Sequence, residues 1–151
     1  MVRGHPLLSD RTDRPNISTG RESQVSVQHA VASALVTGKA GLGQFTDACV
    51  RDPAVLALRG KVVVVRDPTF TTIGAAVEIT TTDGKIHKLS QAAARGSDVN
   101  PMSDKDLEEK LRTGASGWNS RHNTQPLIDA IWTLDKSADV SRLTALTVPH
   151  G

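Results

Sequence analysis

The spacing of hydrophobic and polar positions divides this chain into helical, extended and irregular stretches. "ESQVSVQHAVASALVT", from Glu22 to Thr37, predicts a helix stopped by Gly38. At about 3.6 residues per turn, Val27, Ala30, Val31, Ala34 and Leu35 form one apolar stripe. Val25, Ala32 and Val36 lie on the opposite side, with His29 beside them. Apolar character on both sides predicts a helix sandwiched between two layers, only one of which this short chain can provide. The segment before it, Val2 to Gly20, shows no sustained period, carries Pro6 and Pro15, and reads as an extended arm.

Farther along, "GLGQFTDACVRDPAVLALRG" predicts two short helices, with Asp52 as N-cap of the second and Pro53 in its first turn. "KVVVVRD" is a strand by its β-branched run. "AAVEITTTDGKIHKLS" is a hairpin about Asp83-Gly84. A three-residue loop there pairs Val77 with Leu89 and is preferred to a two-residue loop, which would set Glu78 against Leu89. Asn100-Pro101 then breaks the chain, and Ser103 with Asp106 forms the capping box of a new helix, flanked by Met102 and Leu107 at the staple positions. Asp104 and Asp106 occupy the first turn with negative charge, so this helix start reads as a structural cap; only the preceding Gly96-Ser97 loop is placed to approach a ligand. "TGASGWNSRHN", residues 113–123, reads as a linker. The stripe Leu127, Ile128, Ile131 and Leu134 marks a further helix, and Val140, Leu143 and Leu146 a last short one. This order predicts an α+β fold.

Composition narrows the function classes. The 151 residues hold 18 basic and 16 acidic side chains with no run of one sign, and aromatics make up 3%, with no tyrosine, so a nucleic-acid interface is not expected. The N-terminus has no apolar signal core and the longest aliphatic run, Val62 to Val65, is too short for a bilayer, which predicts a cytoplasmic protein without membrane association. Cys49 is a lone cysteine that reads as a small buried hydrophobe. Histidines at 5, 29, 87, 122 and 150 have no partner at metal-site spacing, so no metal is expected. Ser116 in "GASGW" lacks the setting of a nucleophile elbow, and Gly38, Gly41 and Gly43 follow a helix where a dinucleotide fingerprint follows a strand. Lys85, His87 and Lys88 could gather a carboxylate, but alternation sends His87 to the face opposite Lys88.

Taken together, "SVQHAVASALVTGKAGLGQFTDACVRDPAVLALRGKV", "TTDGK", "GSDVNPMSDKDLEEKLR" and "LIDAIWTLDK" resemble the C-terminal part of the MmgE/PrpD family, which includes 2-methylcitrate dehydratase, cis-aconitate decarboxylase and iminodisuccinate epimerase. The resemblance implies an α+β lid domain over residues 1–112 with a small antiparallel sheet packed on helices, its first strand cut short at Met1. It further implies a linker over 113–123 and terminal helices over 124–151 that return to a large helical domain. It implies cofactor-free lyase or isomerase chemistry on a small di- or tricarboxylic acid, with the catalytic residues chiefly on that helical domain and just before the lid. His29 stands where similar proteins often carry a tyrosine facing the cleft, which makes His29, with Gly96 and Ser97, the substrate-side candidates and His29 the one weak catalytic candidate. The chain is then expected to be inactive alone, as a fragment, a remnant or one subunit of a split enzyme, with a helical domain or subunit of the same family as partner. The alternative is a stand-alone binding module that uses its apolar face for a partner or for self-association.

Overall fold

The computed structural model describes residues 1–148; Pro149, His150 and Gly151, the end of the expected 124–151 segment, lie outside the described residues. Among the described residues the chain forms a four-stranded sheet and eight α-helices, an α+β architecture as the hydrophobic pattern predicted. It divides into two compact units at Pro101/Met102, ahead of the 112/113 division read from the sequence.

In the first unit the sheet order is β2-β1-β3-β4, where β1 is Val2–Gly4, β2 Val64–Arg66, β3 Ala75–Thr80 and β4 Ile86–Gln91. The sheet is mixed, which corrects the antiparallel expectation: β1 runs parallel to β2, with Val2 beside Val64, and antiparallel to β3, with Val2 beside Val77. The strand expected to be cut short is therefore paired on both sides. The extended arm is corrected too, because Val2–Gly4 is this strand and Pro6–Thr12 is helix α1. Three residues are too few to display alternation, and Pro6, read as a breaker, sits in the helix's first turn, where its missing N–H costs nothing. Helix α1 packs on the sheet over Gly4, where a Cβ would stand 2.8 Å from Leu8 Cδ2, and Asp10 of α1 pairs with Arg66 of β2.

The hairpin follows the preferred register, with Val77 opposite Leu89. Thr81 N–H donates to the Lys85 carbonyl at 2.9 Å across a three-residue loop, and Gly84 at φ +83° takes the left-handed turn that a side chain would resist. The expected "KVVVVRD" strand contracts to Val64–Arg66.

The expected helix from Glu22 to Thr37 is two helices, α2 (Gly20–Ser23) and α3 (Val27–Thr37). Its serines make the break. Ser23 Oγ donates to the Gly20 carbonyl at 2.6 Å, while Ser26 Oγ donates to the Arg14 carbonyl at 2.7 Å and accepts from His29 N–H at 3.2 Å, so Ser26 caps a new helix. Gly38, at φ +68°, ends α3 as expected. Two more short helices, α4 (Asp47–Arg51) and α5 (Pro53–Arg59), follow as predicted, and Asp52 accepts from Ala54 and Val55 N–H at 2.8 and 3.1 Å. Val50 and Val55 are buried beneath them, and α3 packs against α5.

In the second unit helix α6 spans Asp104–Trp118, so much of the expected linker over 113–123 is helical. Its capping box forms as read: Ser103 N–H donates to Asp106 Oδ2 at 3.0 Å and Asp106 N–H to Ser103 Oγ at 3.3 Å. Helix α7 is Gln125–Trp132, shorter than its stripe suggested, and a 3-10 turn over Leu134–Lys136 and helix α8 (Ser141–Ala145) follow. Trp132 Nε1–H donates to Glu108 Oε1 at 2.9 Å and clasps α7 to α6. That bond, then the Arg112 guanidinium, holds the Glu108 carboxyl below its usual range.

Glu22 provides a test of how α2 is held. Its carboxylate accepts from Ser18 N–H at 2.7 Å, Ser18 Oγ at 2.9 Å and Thr19 N–H at 3.0 Å, and these bonds lower its pKa from 4.5 to about 2. A depressed carboxyl contributes stability that is complete above the unfolded value and disappears as pH falls through the folded one. Denaturation midpoints measured from pH 5 to pH 2 are therefore expected to fall less steeply in Glu22→Gln than in the parent chain, and parallel curves would contradict these bonds.

Candidate functional site

Helix α3 places His29 inside the first unit, against the segment that connects α3 to α4. The residue is 0% exposed. Its Nε2 lies 2.7 Å from the Gln44 carbonyl oxygen, an acceptor, so Nε2 carries the proton and donates. Its ring is tilted 54° to that of Phe45 with centroids 5.9 Å apart. Nδ1 is buried and has no hydrogen-bond partner among the described residues. The side of α3 around His29 is polar: Gln28, His29 and Ser33 are buried with Ala32, whereas Val25, Leu35 and Val36 are exposed. Gln28 is tied to the loop before α2, its Nε2 donating to Asp13 and its Oε1 accepting from Arg14 N–H at 3.1 Å.

Gly96 and Ser97 form a tight loop after β4. Gly96 has φ +93°, its N–H donates to the Asn100 carbonyl at 2.7 Å, and Asn100 Nδ2 donates to the Ala93 carbonyl at 3.1 Å. Ser97 Oγ is buried without a hydrogen-bond partner. His29 is held by Ser26, Gln44 and Phe45, and the loop by Ala93, Ala94 and Asn100; no hydrogen bond among the described residues joins the two. A ligand that used both would itself supply the connection.

The other chemistry-bearing residues resolve into structural roles. Lys88 pairs with Glu78 at 2.7 Å and Lys85 with Asp83 at 2.9 Å, and His87 stands on the opposite face from Lys88. Ser116 lies within α6 and donates to the Thr113 carbonyl at 3.0 Å. Cys49 is half-buried in α4, and burial, then Asp52, pushes its thiol pKa up, which keeps the sulfur protonated. Among the described residues no three His, Cys, Asp or Glu side chains gather as a metal site, and no helix is long and apolar enough to cross a membrane.

One polar residue escaped the sequence reading. Arg59, at the end of α5, is only 9% exposed; its Nη2 donates to the Ile17 carbonyl at 3.4 Å and its Nη1 has no partner. Its position four residues after Val55 puts it on the buried side of α5, and that spacing was the available signal. In the second unit an open groove of about 580 Å³ is lined by Leu107, Leu111, Trp118 and Leu127, with His122 edge-on to Trp118 at 6.2 Å.

Comparison with known proteins places this geometry in context. The MmgE/PrpD C-terminal domain matches residues 2–136. The chain is 30% identical over 138 residues to the cis-aconitate decarboxylase-like protein oryM of Aspergillus oryzae, covering 89% of this chain and 28% of that protein. It is 28% identical over 138 residues to the cis-aconitate decarboxylases of Mus musculus and Homo sapiens, again over 89% of this chain and over 28% and 29% of theirs. These 151 residues thus span less than a third of the curated relatives they match.

Replacing His29 tests how it is held. Its loss strands the partly buried Gln44 carbonyl, so His29→Phe is expected to cost on the order of 1 kcal/mol in urea unfolding. His29→Ala, which also opens a cavity, is expected to cost about 2–5 kcal/mol.

Proposed function

Because the chain belongs to the MmgE/PrpD family, we propose that it forms the lid of a cofactor-free lyase acting on a small di- or tricarboxylic acid, and that it has no turnover by itself. The match to the family's C-terminal domain over residues 2–136 carries this reading. In such a reaction a base removes the proton beside a carboxylate while the lid completes the pocket and excludes water. The base and the residues that grip the carboxylates come from a helical domain or subunit of the same family. On the lid side, His29 and the Gly96-Ser97 loop contribute to the pocket. His29 reaches substrate once the Gln44-Phe45 segment that covers it moves aside.

Val25, just before α3, and Leu35 and Val36, in its last turn, are exposed apolar residues of the kind a docked partner would cover. Among substrates, cis-aconitate comes first because three relatives are named for its decarboxylation or for likeness to it, with 2-methylcitrate as the dehydration alternative. A stand-alone binding module is the second reading, favoured by the apolar groove along α6.

The test is an assay of cis-aconitate decarboxylation and 2-methylcitrate dehydration with the purified chain, then with the helical domain of a family member added in trans. No turnover alone and turnover on mixing is the expected outcome. Turnover by the chain alone overturns the lid reading. A well-behaved chain that stays inert with every helical partner supports the binding module.

A further inference from the structure

Strand β4 is the open edge of the sheet, and all six of its residues are exposed. We infer that β4 pairs antiparallel with β4 of a second copy of this chain across a twofold axis at Leu89, joining two four-stranded sheets into one.

The backbone supplies the bonds. Thr81 N–H donates to the Lys85 carbonyl, and β3 turns Glu78 N–H away from β4 to the Met1 carbonyl at 2.9 Å. By alternation, His87, Leu89 and Gln91 use their backbone groups on β3, while Ile86, Lys88 and Ser90 direct theirs outward. Natural edges of this kind are usually blunted by proline, a bulge or unpaired lysine. Here residues 86–91 contain no proline, and both nearby lysines are neutralised within the chain, Lys88 by Glu78 at 2.7 Å and Lys85 by Asp83 at 2.9 Å. The opposite edge is closed by contrast: β2 has three residues, is followed shortly by Pro68, and its Arg66 is tied to Asp10.

Side chains select the register. Outward-directed residues must face outward-directed residues, so an antiparallel twofold pair covering most of the strand centres on His87, Lys88 or Leu89. Centring on Lys88 sets ammonium against ammonium, and centring on His87 sets imidazole against imidazole. Centring on Leu89 faces Lys88 with the Ser90 of the second copy, and brings the two leucines together at the closely spaced, non-hydrogen-bonded position. Leu89 is 68% exposed in the single chain, among the most exposed of its large apolar residues, and on this edge Ile86 is 57% exposed. The edge of one six-residue strand is small against a standard interface, so the association is weak and concentration-dependent.

Analytical ultracentrifugation of the whole chain tests this together with cross-linking. The mass is expected to rise with concentration from 16.0 kDa toward twice that value, and Ser90→Pro, which removes an outward N–H that β3 does not use, is expected to hold it at one chain. Should that variant misfold, cross-linking still decides. In a Cys49→Ala background under mild oxidant, Leu89→Cys is expected to form a covalent dimer about tenfold faster than Lys88→Cys, whose like partners would be diagonal. A chain that remains single at every concentration, or Lys88→Cys linking as fast as Leu89→Cys, overturns the pairing. Failure of the lid assay leaves it untouched, because β4 pairing needs neither substrate nor helical partner.

Discussion

The burial of a polar helix side in the first unit determines how its helices lie. Along α3, Ser26, Gln28, His29 and Ser33 turn inward; the first three bond to backbone outside the helix, the Arg14 carbonyl, the Arg14 N–H and the Gln44 carbonyl, and Ser33 donates to the Ala30 carbonyl within it. A buried polar group costs a few kcal/mol when unpaired, on the order of 1–3, so each of these bonds excludes arrangements that would break it. The segments before α2 and after α3 supply the groups that those polar side chains bond to. They are held because α3 needs their carbonyls and N–H groups as much as they need α3.

Glycine makes that closeness sterically feasible. At Gly20 a Cβ would stand 2.6 Å from the Phe45 carbonyl oxygen and 2.8 Å from the Thr46 backbone, so α2 meets the start of α4 backbone to backbone. Asp47 reinforces the contact by accepting from Gly20 N–H at 2.7 Å. Phe45, one residue past the carbonyl that His29 holds, is thus fixed from two sides. Any motion that uncovers His29 must disturb both the imidazole bond and the α2–α4 contact, which gives the lid reading a definite structural cost for opening.

Legibility in the sequence followed the range of the physics. The Asp52-Pro53 helix start, the Ser103-Asp106 box, Gly38 as a helix stop and the Val77–Leu89 register are set by residues a few positions apart, and all were readable. What failed depended on partners far along the chain. Val2–Gly4 is a strand because Val64 and Val77 flank it, and no local period announces that. The helix projection grouped His29 with Val25, Ala32 and Val36; Ala32 is buried beside it, whereas Val25 precedes the helix that Ser26 caps and Val36, seven residues past His29 on the same side, is exposed in the last turn. Of the candidate site residues, His29 and the Gly96-Ser97 loop are picked out in the sequence by type alone, which shows neither the covering of His29 by Gln44 nor the burial of Ser97 Oγ. Arg59 was missed because arginine at a helix end reads as a solvated charge.

The exposed apolar residues of α3 are set apart from the polar interior along the helix axis. A helix with 11 residues and two distinct sides can bury only one against α5 and the Gln44 segment. Leu35 and Val36 stand seven residues after Gln28 and His29, so they continue that same side into the last turn of α3, where they are exposed. Burying them requires an element packed over that last turn. A chain constrained in this way gains stability from whatever covers that side, at roughly 25 cal/mol per Å² of apolar area removed from water. The last turn of α3 and the edge formed by β4 are different elements, so the proposed docking of a helical partner and the proposed pairing with a second copy do not compete.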